Sequence, residues 1–296
     1  MLGSGDWSAF GGRPDLILWT RTGWPWPNPD HVRAQQVRML QEADALRVPV
    51  VGYHLDIWWG LKREHQVFEE PFFQSDLLVT ADGGHDDRWA EAAVNHVWFP
   101  PAVSAREAIP GRKVDRFTSR LAFVGSWQGG YHDEHQHRFE LVAFLKKHFR
   151  STCEFYPRIG EHAIRGADLR DLYASVDLAI GDSCFAGTGL ANYWSDRIPE
   201  TLGRRGLLAH PNIPGLEQHF VELDYEEPVT YDCGHLFTWD AGDWDQLGEL
   251  IEWVLRSPDD ELDAVRDRAW QHVLQHHTYD VRMDQLVDLL LERGML

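Results

Sequence analysis

The chain has 296 residues, of which 43% are hydrophobic and 25% are charged, and its formal net charge is −19 at pH 7. This composition is typical of a globular protein with one large core or two smaller ones. The negative charge disfavours broad contact with DNA or an anionic membrane. No run approaches the roughly 18 apolar residues of a membrane span, and the start lacks the basic and apolar regions of a signal peptide.

The cysteines Cys153, Cys184 and Cys233 lie far apart and form no C-x-x-C pair. Sparse cysteines are typical of reduced thiols and argue against disulfides or zinc, so we predict a cytoplasmic protein. The histidines of HDEHQH (132–137) have a spacing that can place two imidazoles on one helix face. Because no separate third ligand is evident, we predict a solvated helix start here and no metal site.

Strands and helices alternate in the first third of the chain. A strand is predicted at 15–21 and a helix at 29–46, with Val32, Val37, Leu40 and Leu46 among its inward positions. Further strands are predicted at 48–56, 76–82 and 96–100, with a helix near 86–94. This alternation predicts a parallel sheet with right-handed crossovers.

The alternation breaks at 101–119, where proline, glycine and charges of both signs occur without an apolar period. This predicts a linker, placed at 106–119, between an N-terminal domain (1–105) and a C-terminal domain (120–278). A last helix, within 279–296, could cross back to the N-terminal domain.

A second alternating series follows. Strands are predicted at 120–127, 153–159, 177–183, 206–211 and 229–233, and helices at 135–149, 168–175, 244–256, 259–276 and 279–293. On the helix at 135–149, Phe139, Val142, Leu145 and Phe149 share one side. The predicted fold class is therefore α/β, with two Rossmann-like domains and C-terminal helices. Ligands of such sheets bind beyond the carboxyl ends of the strands.

The segment 176–220 has the features of a nucleotide diphosphate site. After a predicted strand come a glycine-bearing loop and a helix for which Ser195 or Asp196 is a suitable N-cap. Free N–H groups at the helix start would attract an anion, Arg197 would offer a fork to phosphate oxygens, and Glu200 could accept hydrogen bonds from a ribose diol. The alternative is an ordinary loop-to-helix transition with solvated charges.

A second glycine-bearing turn, FVGSWQGG (123–130), also follows a predicted strand. It has neither the G-x-G-x-x-G spacing nor a Walker lysine, so it is a weak signal alone. Because both loops would open on the same sheet edge, we predict that Gly125 and Ser126 lie beside a diphosphate.

Polar residues follow two strands of the N-terminal domain, at the edge where ligands are expected. His54, Asp56, Asp82 and His85 are therefore candidate general bases. The alternative for Asp56 and Asp82 is that they cap the following helices.

Tryptophans also occur in a proline-stiffened segment, WPWPNP. Trp24 and Trp26 are suited to stacking on a sugar or a base, or they pack over the sheet edge.

The segments FVGSW, ANYWSDRIPETLGRRGLLAHPNIPGLEQHF and HHTYDVRMDQLVDLL resemble the GT-B glycosyltransferases. The similar branch is described as glycosyl transferase group 1 or spore-maturation-protein-like, and the resemblance covers 120–291. It implies two Rossmann-like domains facing across a cleft. It also implies a nucleotide-sugar donor on the C-terminal domain, an acceptor on the N-terminal domain, and no obligatory metal or other cofactor.

Carried over to this sequence, the resemblance assigns Glu200 to the donor ribose, Arg197 and the 125–126 turn to the diphosphate, and the loop up to Asn192 to the sugar. The donor-binding residues it implies are Gly125, Ser126, Asn192, Ser195, Asp196, Arg197 and Glu200. Retaining relatives often have two glutamates eight positions apart. Because Asn192 stands in the first place, the stereochemistry stays open.

For the acceptor, the expected contacts are Trp24, Trp26 and His54. In an inverting reaction, Asp56, Asp82 or His85 would deprotonate the acceptor hydroxyl of a glycan, a protein or a modified DNA base. The net charge disfavours DNA. The alternatives are a non-catalytic nucleotide-binding or assembly subunit, or a GT-B-like epimerase.

Overall fold

In a computed structural model, residues 12–21, 29–117, 119–127, 136–225 and 233–296 are described. The chain divides into two compact units. The first consists of Met1–Pro100 with Asp284–Leu296, and the second consists of Pro101–Met283.

The first unit has a parallel sheet in which neighbours in space are also neighbours in the chain. The order is β1-β2-β3-β4, with β1 at Ile17–Thr20, β2 at Val50–His54, β3 at Leu77–Thr80 and β4 at His96–Trp98. His54 pairs with Thr80, and Thr80 with Trp98, so these carboxyl ends are aligned. The helices are α1 (Pro29–Leu46), α2 (Gln66–Glu69) and α3 (Asp86–Glu91), with a 3-10 turn at Pro71–Gln74.

Aromatic side chains form much of the core of this unit. Trp58 packs edge-on against Phe73, with ring centroids 5.2 Å apart. Trp59 packs against Trp89 at 5.1 Å. The guanidinium of Arg63 lies 4.9 Å from the Trp58 ring centroid, a cation–π contact. Packing thus accounts for these three of the 14 tryptophans of the chain.

The bounds of α1 agree with the prediction, but its inward face does not. The buried residues are Met39 and Ala43, whereas Val37 and Leu46 are exposed. The apolar residues of this helix are too few to define one stripe, so the packing of Met39 and Ala43 against β1 and β2 decides its rotation.

The second unit also has a parallel sheet. Its strands are β5 (Leu121–Val124), β6 (Cys153–Tyr156), β7 (Leu178–Ile180), β8 (Leu208–Pro211), β9 (Glu222–Leu223) and β10 (Leu236–Trp239), in the order β6-β5-β7-β8-β10-β9. The helices are α4 (His137–His148), α5 (Gly166–Ser175), α6 (Arg197–Leu202), α7 (Trp244–Arg256) and α8 (Asp259–His276). The last helix, α9 (Tyr279–Glu292), begins in this unit, and its residues from Asp284 onward belong to the first unit. The predicted class, α/β with two parallel sheets and C-terminal helices, is confirmed.

Three details of the second unit differ from the sequence predictions. On α4 the buried residues are Leu141, Val142 and Leu145, while Phe139 is exposed. The predicted strand at 229–233 falls mostly outside the described residues, and Cys233 lies in a turn. The strands β9 and β10, of two and four residues, were not predicted from the sequence.

The segment predicted as a linker is hydrogen-bonded along the second unit. The main-chain N–H of Val103 donates to the carbonyl of His277 at 3.0 Å. The indole of Trp270 donates to the carbonyl of Ala108 at 3.1 Å, and the N–H of Val114 donates to the Ser175 hydroxyl at 3.0 Å. These bonds hold 103–114 against α5 and the C-terminal part of this unit.

Histidine rings collect around Phe220 in the second unit. His277 stacks on Phe220 with centroids 4.3 Å apart, and His235 stacks on His272 at 4.0 Å. The carbonyl of His219 accepts hydrogen bonds from the rings of His272 and His277 at 2.7 and 3.3 Å. Burial lowers the pKa of His277 to about 2 and that of His235 to about 4. These rings are therefore neutral at pH 7.

No helix in the described ranges is long and apolar enough to cross a membrane. Within the same ranges, no group of three or more histidine, cysteine or acidic side chains is arranged to hold a metal ion.

Candidate functional site

A cavity of about 650 Å³ lies within the second unit, beyond the carboxyl ends of β5 and β6. Five of the predicted donor-binding residues line it: Gly125, Ser126, Asp196, Arg197 and Glu200. The segment at 163–166, which leads into α5, forms part of the lining too. The structure thus brings together the turn after β5 and the start of α6, which are about 70 residues apart in the chain.

Arg197 connects these two elements. Its Nε donates a hydrogen bond to the carbonyl of Val124, the last residue of β5. Its guanidinium then lies over Gly125, where a Cβ would be only 2.6 Å from Nη2. Gly125 also has a φ of 155°, which a residue with a side chain rarely adopts. Glycine at this position therefore allows the guanidinium to line the cavity.

The start of α6 differs from the sequence expectation of free N–H groups. The Ser195 hydroxyl accepts from the N–H of Arg197 at 3.2 Å, and the Ser195 carbonyl accepts from Ile198 at 3.2 Å. Asp196 makes no side-chain capping bond. Ser195 itself is buried and caps the helix. Because these N–H groups already have partners, the arginines supply most of the positive charge at the cavity.

Glu200 lies in the first turn of α6 and faces the cavity. Burial raises the pKa of its carboxyl group, and the nearby charge of Asp196 raises it further. The positive charges of Arg204, Arg197 and Arg165 act in the opposite direction. The net upward shift means that Glu200 takes up a proton at a higher pH than an exposed glutamate does.

Two cavity residues on this side were not predicted from the sequence. Arg204 donates from Nη1 to the carbonyl of Glu200 at 2.9 Å and from Nη2 to the Glu107 carboxylate at 3.4 Å. The i,i+4 spacing of Glu200 and Arg204 is a signal that could have identified the arginine. Glu107 lies far away in the chain, so no local pattern indicates it.

The cavity also has an aromatic and apolar part. Trp127 is half-buried, and its indole N–H donates to the carbonyl of Pro157 at 2.8 Å. The ammonium of Lys146 lies 4.3 Å from the Trp127 ring centroid. Ile164 and Leu169 complete this part of the lining. Such a surface suits a planar ring, since an indole offers both apolar area and a π-face.

Asn192, predicted to border a sugar, does not line this cavity. It has a φ of 57°, and its N–H donates to the carbonyl of Pro214 at 2.9 Å. Its Oδ1 lies so close to Gly215 that a Cβ there would be 2.0 Å away. These contacts fix the loop before α6 against the segment that follows β8.

The glycine-bearing loop begins at a buried charged group. Asp182 is 2% exposed and bonds to His137 Nδ1 at 2.8 Å and to Arg138 Nε at 2.7 Å. Burial raises the pKa of Asp182, but these two partners lower it more, so the net shift is downward. His137, the described member of the HDEHQH group, is thus engaged by a carboxylate. His132 and His135 lie outside the described residues.

In the first unit, Asp82 and His85 form a pair beyond the carboxyl end of β3. Asp82 is fully buried, and its Oδ1 lies 2.8 Å from His85 Nδ1. Burial raises the pKa of Asp82, although the hydrogen bond to His85 acts against this. The pair has the arrangement of a histidine base held by a carboxylate.

Asp56, beyond β2, is already engaged by its neighbours. Its Oδ1 accepts from the N–H of Ile57 at 2.9 Å, and its Oδ2 lies 2.6 Å from Arg63 Nη2. His54 Nε2 is 3.9 Å from the same oxygen, and its ring packs edge-on to Trp58 at 5.0 Å. Trp24 and Trp26 lie outside the described residues.

Parallel sheets with a charged cavity beyond the carboxyl ends of the strands are typical of Rossmann-like α/β proteins. The glycosyl transferase-like family (Glyco_trans_1_2) matches residues 108–288, and the chain belongs to this family. The predicted resemblance to GT-B glycosyltransferases is confirmed. No curated protein sequence matches the chain.

Solved GT-B structures share the fold at low sequence identity. A glycosyltransferase from Rickettsia africae is 10% identical, with a TM-score of 0.51 over 92% of this chain and 84% of that one. HepE from Anabaena, in complex with UDP and glucose, is 10% identical, with a TM-score of 0.54 over 87% and 75%. An alpha-glucosyltransferase in complex with UDP-glucose and DNA containing an abasic site is 12% identical, with a TM-score of 0.54 over 94% and 80%.

Proposed function

We propose that this protein transfers a sugar from a nucleoside-diphosphate sugar to an acceptor hydroxyl, with the donor bound in the cavity of the second unit. The observation that carries the proposal is that Glu200 and Arg197 line one cavity together with the Gly125 turn. Membership in a glycosyltransferase family supports it. UDP and UDP-glucose, which HepE binds, are of the proposed ligand class.

Each part of the donor has a complementary surface. The carboxylate of Glu200 accepts hydrogen bonds from the ribose hydroxyls, and the guanidinium of Arg197 donates to the diphosphate in a fork. Trp127 and Ile164 offer an apolar surface to the base. The cavity of about 650 Å³ is within the range of about 300 to 1,000 Å³ of ligand pockets.

The proposed reaction does not need a metal ion for the departing diphosphate. As the bond between the anomeric carbon and the diphosphate oxygen breaks, negative charge develops on that oxygen. Arg197 and Arg165, which both line the cavity, stabilise this charge by preorganised hydrogen bonds. Guanidinium groups thus take the part that a divalent cation has in other transferases.

For the acceptor, we propose that His85 removes the hydroxyl proton while the new bond to the anomeric carbon forms. Asp82 holds Nδ1 of the ring, so the proton goes to Nε2. Asp56 is a weaker candidate for this step, because both of its oxygens are engaged by Ile57 and Arg63. The net charge of −19 favours an acceptor other than DNA.

The test is a thermal-shift and calorimetric screen with UDP, GDP, ADP, CDP and TDP, followed by mass spectrometry for hydrolysis of the matching nucleotide sugar. We expect one diphosphate to raise the melting temperature by mass action and Glu200→Gln to weaken its binding. Glu249→Gln, on the exposed side of α7, is the matched control. If none of the five binds, the proposal is wrong. Binding without turnover of any sugar nucleotide favours the non-catalytic subunit instead.

A further inference from the structure

An ion pair between the buried Arg204 and the partly exposed Glu107 lies beside the proposed ribose carboxylate. Glu107, Arg204 and Glu200 all line the same cavity. We propose, on the basis of the function proposed above, that Glu107 and Arg204 are positioning residues of the donor site. Arg204 holds the main chain at Glu200 and favours its charged carboxylate toward the ribose, while Glu107 holds Arg204 in place and moderates its effect.

Arg204 contacts the main chain of the residue that it positions. It is 3% exposed, and its Nη1 donates to the Glu200 carbonyl at 2.9 Å. A guanidinium does not lose its proton in proteins, so this is a permanent positive charge inside the wall of the cavity. Among the described residues, its Nε has no hydrogen-bond partner. The Glu107 carboxylate forms an ion pair with this buried charge.

Glu107 is itself held in a defined place. Its N–H donates to the carbonyl of Ser104 at 2.8 Å, and the N–H of Ala108 donates to the same oxygen at 2.9 Å. The indole of Trp270 binds the carbonyl of Ala108. The turn that carries Glu107 is thus fixed to α8. Its side chain is 41% exposed and pairs with Arg204 Nη2 at 3.4 Å, a loose contact that leaves part of the charge of Arg204 directed at Glu200.

Removing either charge of the pair should shift the pKa of Glu200, and the two shifts should have opposite directions. Among the positive charges that lower the pKa of Glu200, Arg204 has the largest effect. Removing that charge should raise the pKa of Glu200. Removing the negative charge of Glu107 should lower it, because Arg204 then acts on Glu200 without a competing anion.

The other charged and titratable groups around Glu200 are the same in wild type and in the variants at positions 107 and 204. They are Asp196 just before α6, Arg197 on α6, Arg165 just before α5, Tyr173 on α5 and Tyr279 on α9. None of them is altered by a substitution at 107 or 204. A helix-capping role for Arg204 alone does not predict opposite shifts, since it involves the Glu200 carbonyl and not its carboxyl group.

The experiment measures the dissociation constant of the tightest of UDP, GDP, ADP, CDP and TDP by calorimetry from pH 4.5 to 8. The proteins are wild type, Glu107→Gln, Arg204→Lys, Arg204→Met and the control Glu249→Gln. The diphosphate itself titrates in the same way in the experiments with all five proteins, so differences between the proteins report on Glu200. Melting temperatures identify any variant that does not fold.

We expect Glu107→Gln to move the midpoint of the acid-induced loss of binding down by about 0.5 pH unit. Arg204→Met should move this midpoint up and weaken binding at pH 7 by roughly tenfold. Arg204→Lys keeps the positive charge, so its midpoint should lie close to that of wild type. If Arg204→Met does not fold, the downward displacement of Glu107→Gln, compared with the unshifted midpoint of Glu249→Gln, decides. Unchanged midpoints, or equal shifts in the same direction, overturn this inference alone. If wild type binds none of the five probes, the proposed function and this inference both fail.

Discussion

The guanidinium of Arg197 lies over the Cα of Gly125, in the space that a side chain at residue 125 would occupy. This contact joins the carboxyl end of β5 to the first residue of α6. The glycine therefore sets both the backbone of the turn and the position of the main proposed phosphate ligand.

Gly125→Ala should weaken donor binding, because the new Cβ displaces the guanidinium from its place beside Val124. The φ of 155° adds backbone strain of about 1 to 3 kcal/mol. We expect a lower melting temperature and a loss of roughly tenfold or more in diphosphate affinity by calorimetry. Gly160→Ala is the matched control, since Gly160 has a φ of 82° but no atom within 4 Å of a Cβ. Equal affinity losses in the two variants would contradict this argument.

Arg197→Lys should separate the diphosphate contact from the ribose and base contacts. A lysine has one compact ammonium and cannot donate in a planar fork. We expect the nucleoside diphosphate to bind about tenfold more weakly, while the corresponding nucleoside, measured at millimolar concentration, binds as to wild type. Arg256→Lys, on the exposed end of α7, controls for the change of residue type. Parallel losses for both ligands would argue that Arg197 is structural.

Asp82→Asn should reduce turnover without changing donor affinity, because Asp82 and His85 belong to the first unit and the donor cavity to the second. An asparagine no longer holds His85 with a carboxylate, so the ring loses its fixed tautomer. We expect kcat to fall by about 100-fold, measured with the donor and acceptor identified by screening. Asp87→Asn, on the exposed part of α3, should have the rate of wild type. An unchanged rate for Asp82→Asn would remove this pair from the mechanism.

The histidine cluster around Phe220 predicts a loss of stability in mild acid. The pKa of His277 is about 2 in the folded chain and about 6.5 in an unfolded one. As the pH falls below 6.5, the unfolded chain takes up a proton that the folded chain does not. The free energy of unfolding should therefore decrease with falling pH, by about 2 kcal/mol at pH 5 for this group.

Urea unfolding at pH 8 and pH 5 tests this expectation. His277→Gln lacks the titrating group, so the difference between the two pH values should be smaller than in wild type. His162→Gln, at an exposed position, should retain the full difference. If the free energy of unfolding of wild type is the same at pH 8 and pH 5, the histidine cluster does not lower the stability in mild acid.

The fold was predictable where periodicity and end signals agree. The helices Pro29–Leu46, Trp244–Arg256 and Asp259–His276 have the bounds that their patterns predict, because each is long and bordered by proline, aspartate or a polar turn. The rotation of α1 was not predictable, since Met39 and Ala43 are buried by tertiary packing.

The candidate site was predictable only where one local motif supplies several residues. Arg197 and Glu200 stand three positions apart on α6, so one helix start indicates both. Glu107 and Arg165 come from separate segments that only the folded sheet brings to the same cavity. Ser195 was one of two predicted N-caps of α6, and in the structure its hydroxyl already accepts a hydrogen bond from the N–H of Arg197.

The bonds of the 103–114 segment to α5, Trp270 and His277 have a practical consequence for work on isolated fragments. A piece of the chain that starts at the first strand of the second sheet would omit Glu107 and expose the Trp270 indole and the Ser175 hydroxyl. A fragment made to test the proposed donor site should instead begin near Pro101, where the structure itself divides the chain.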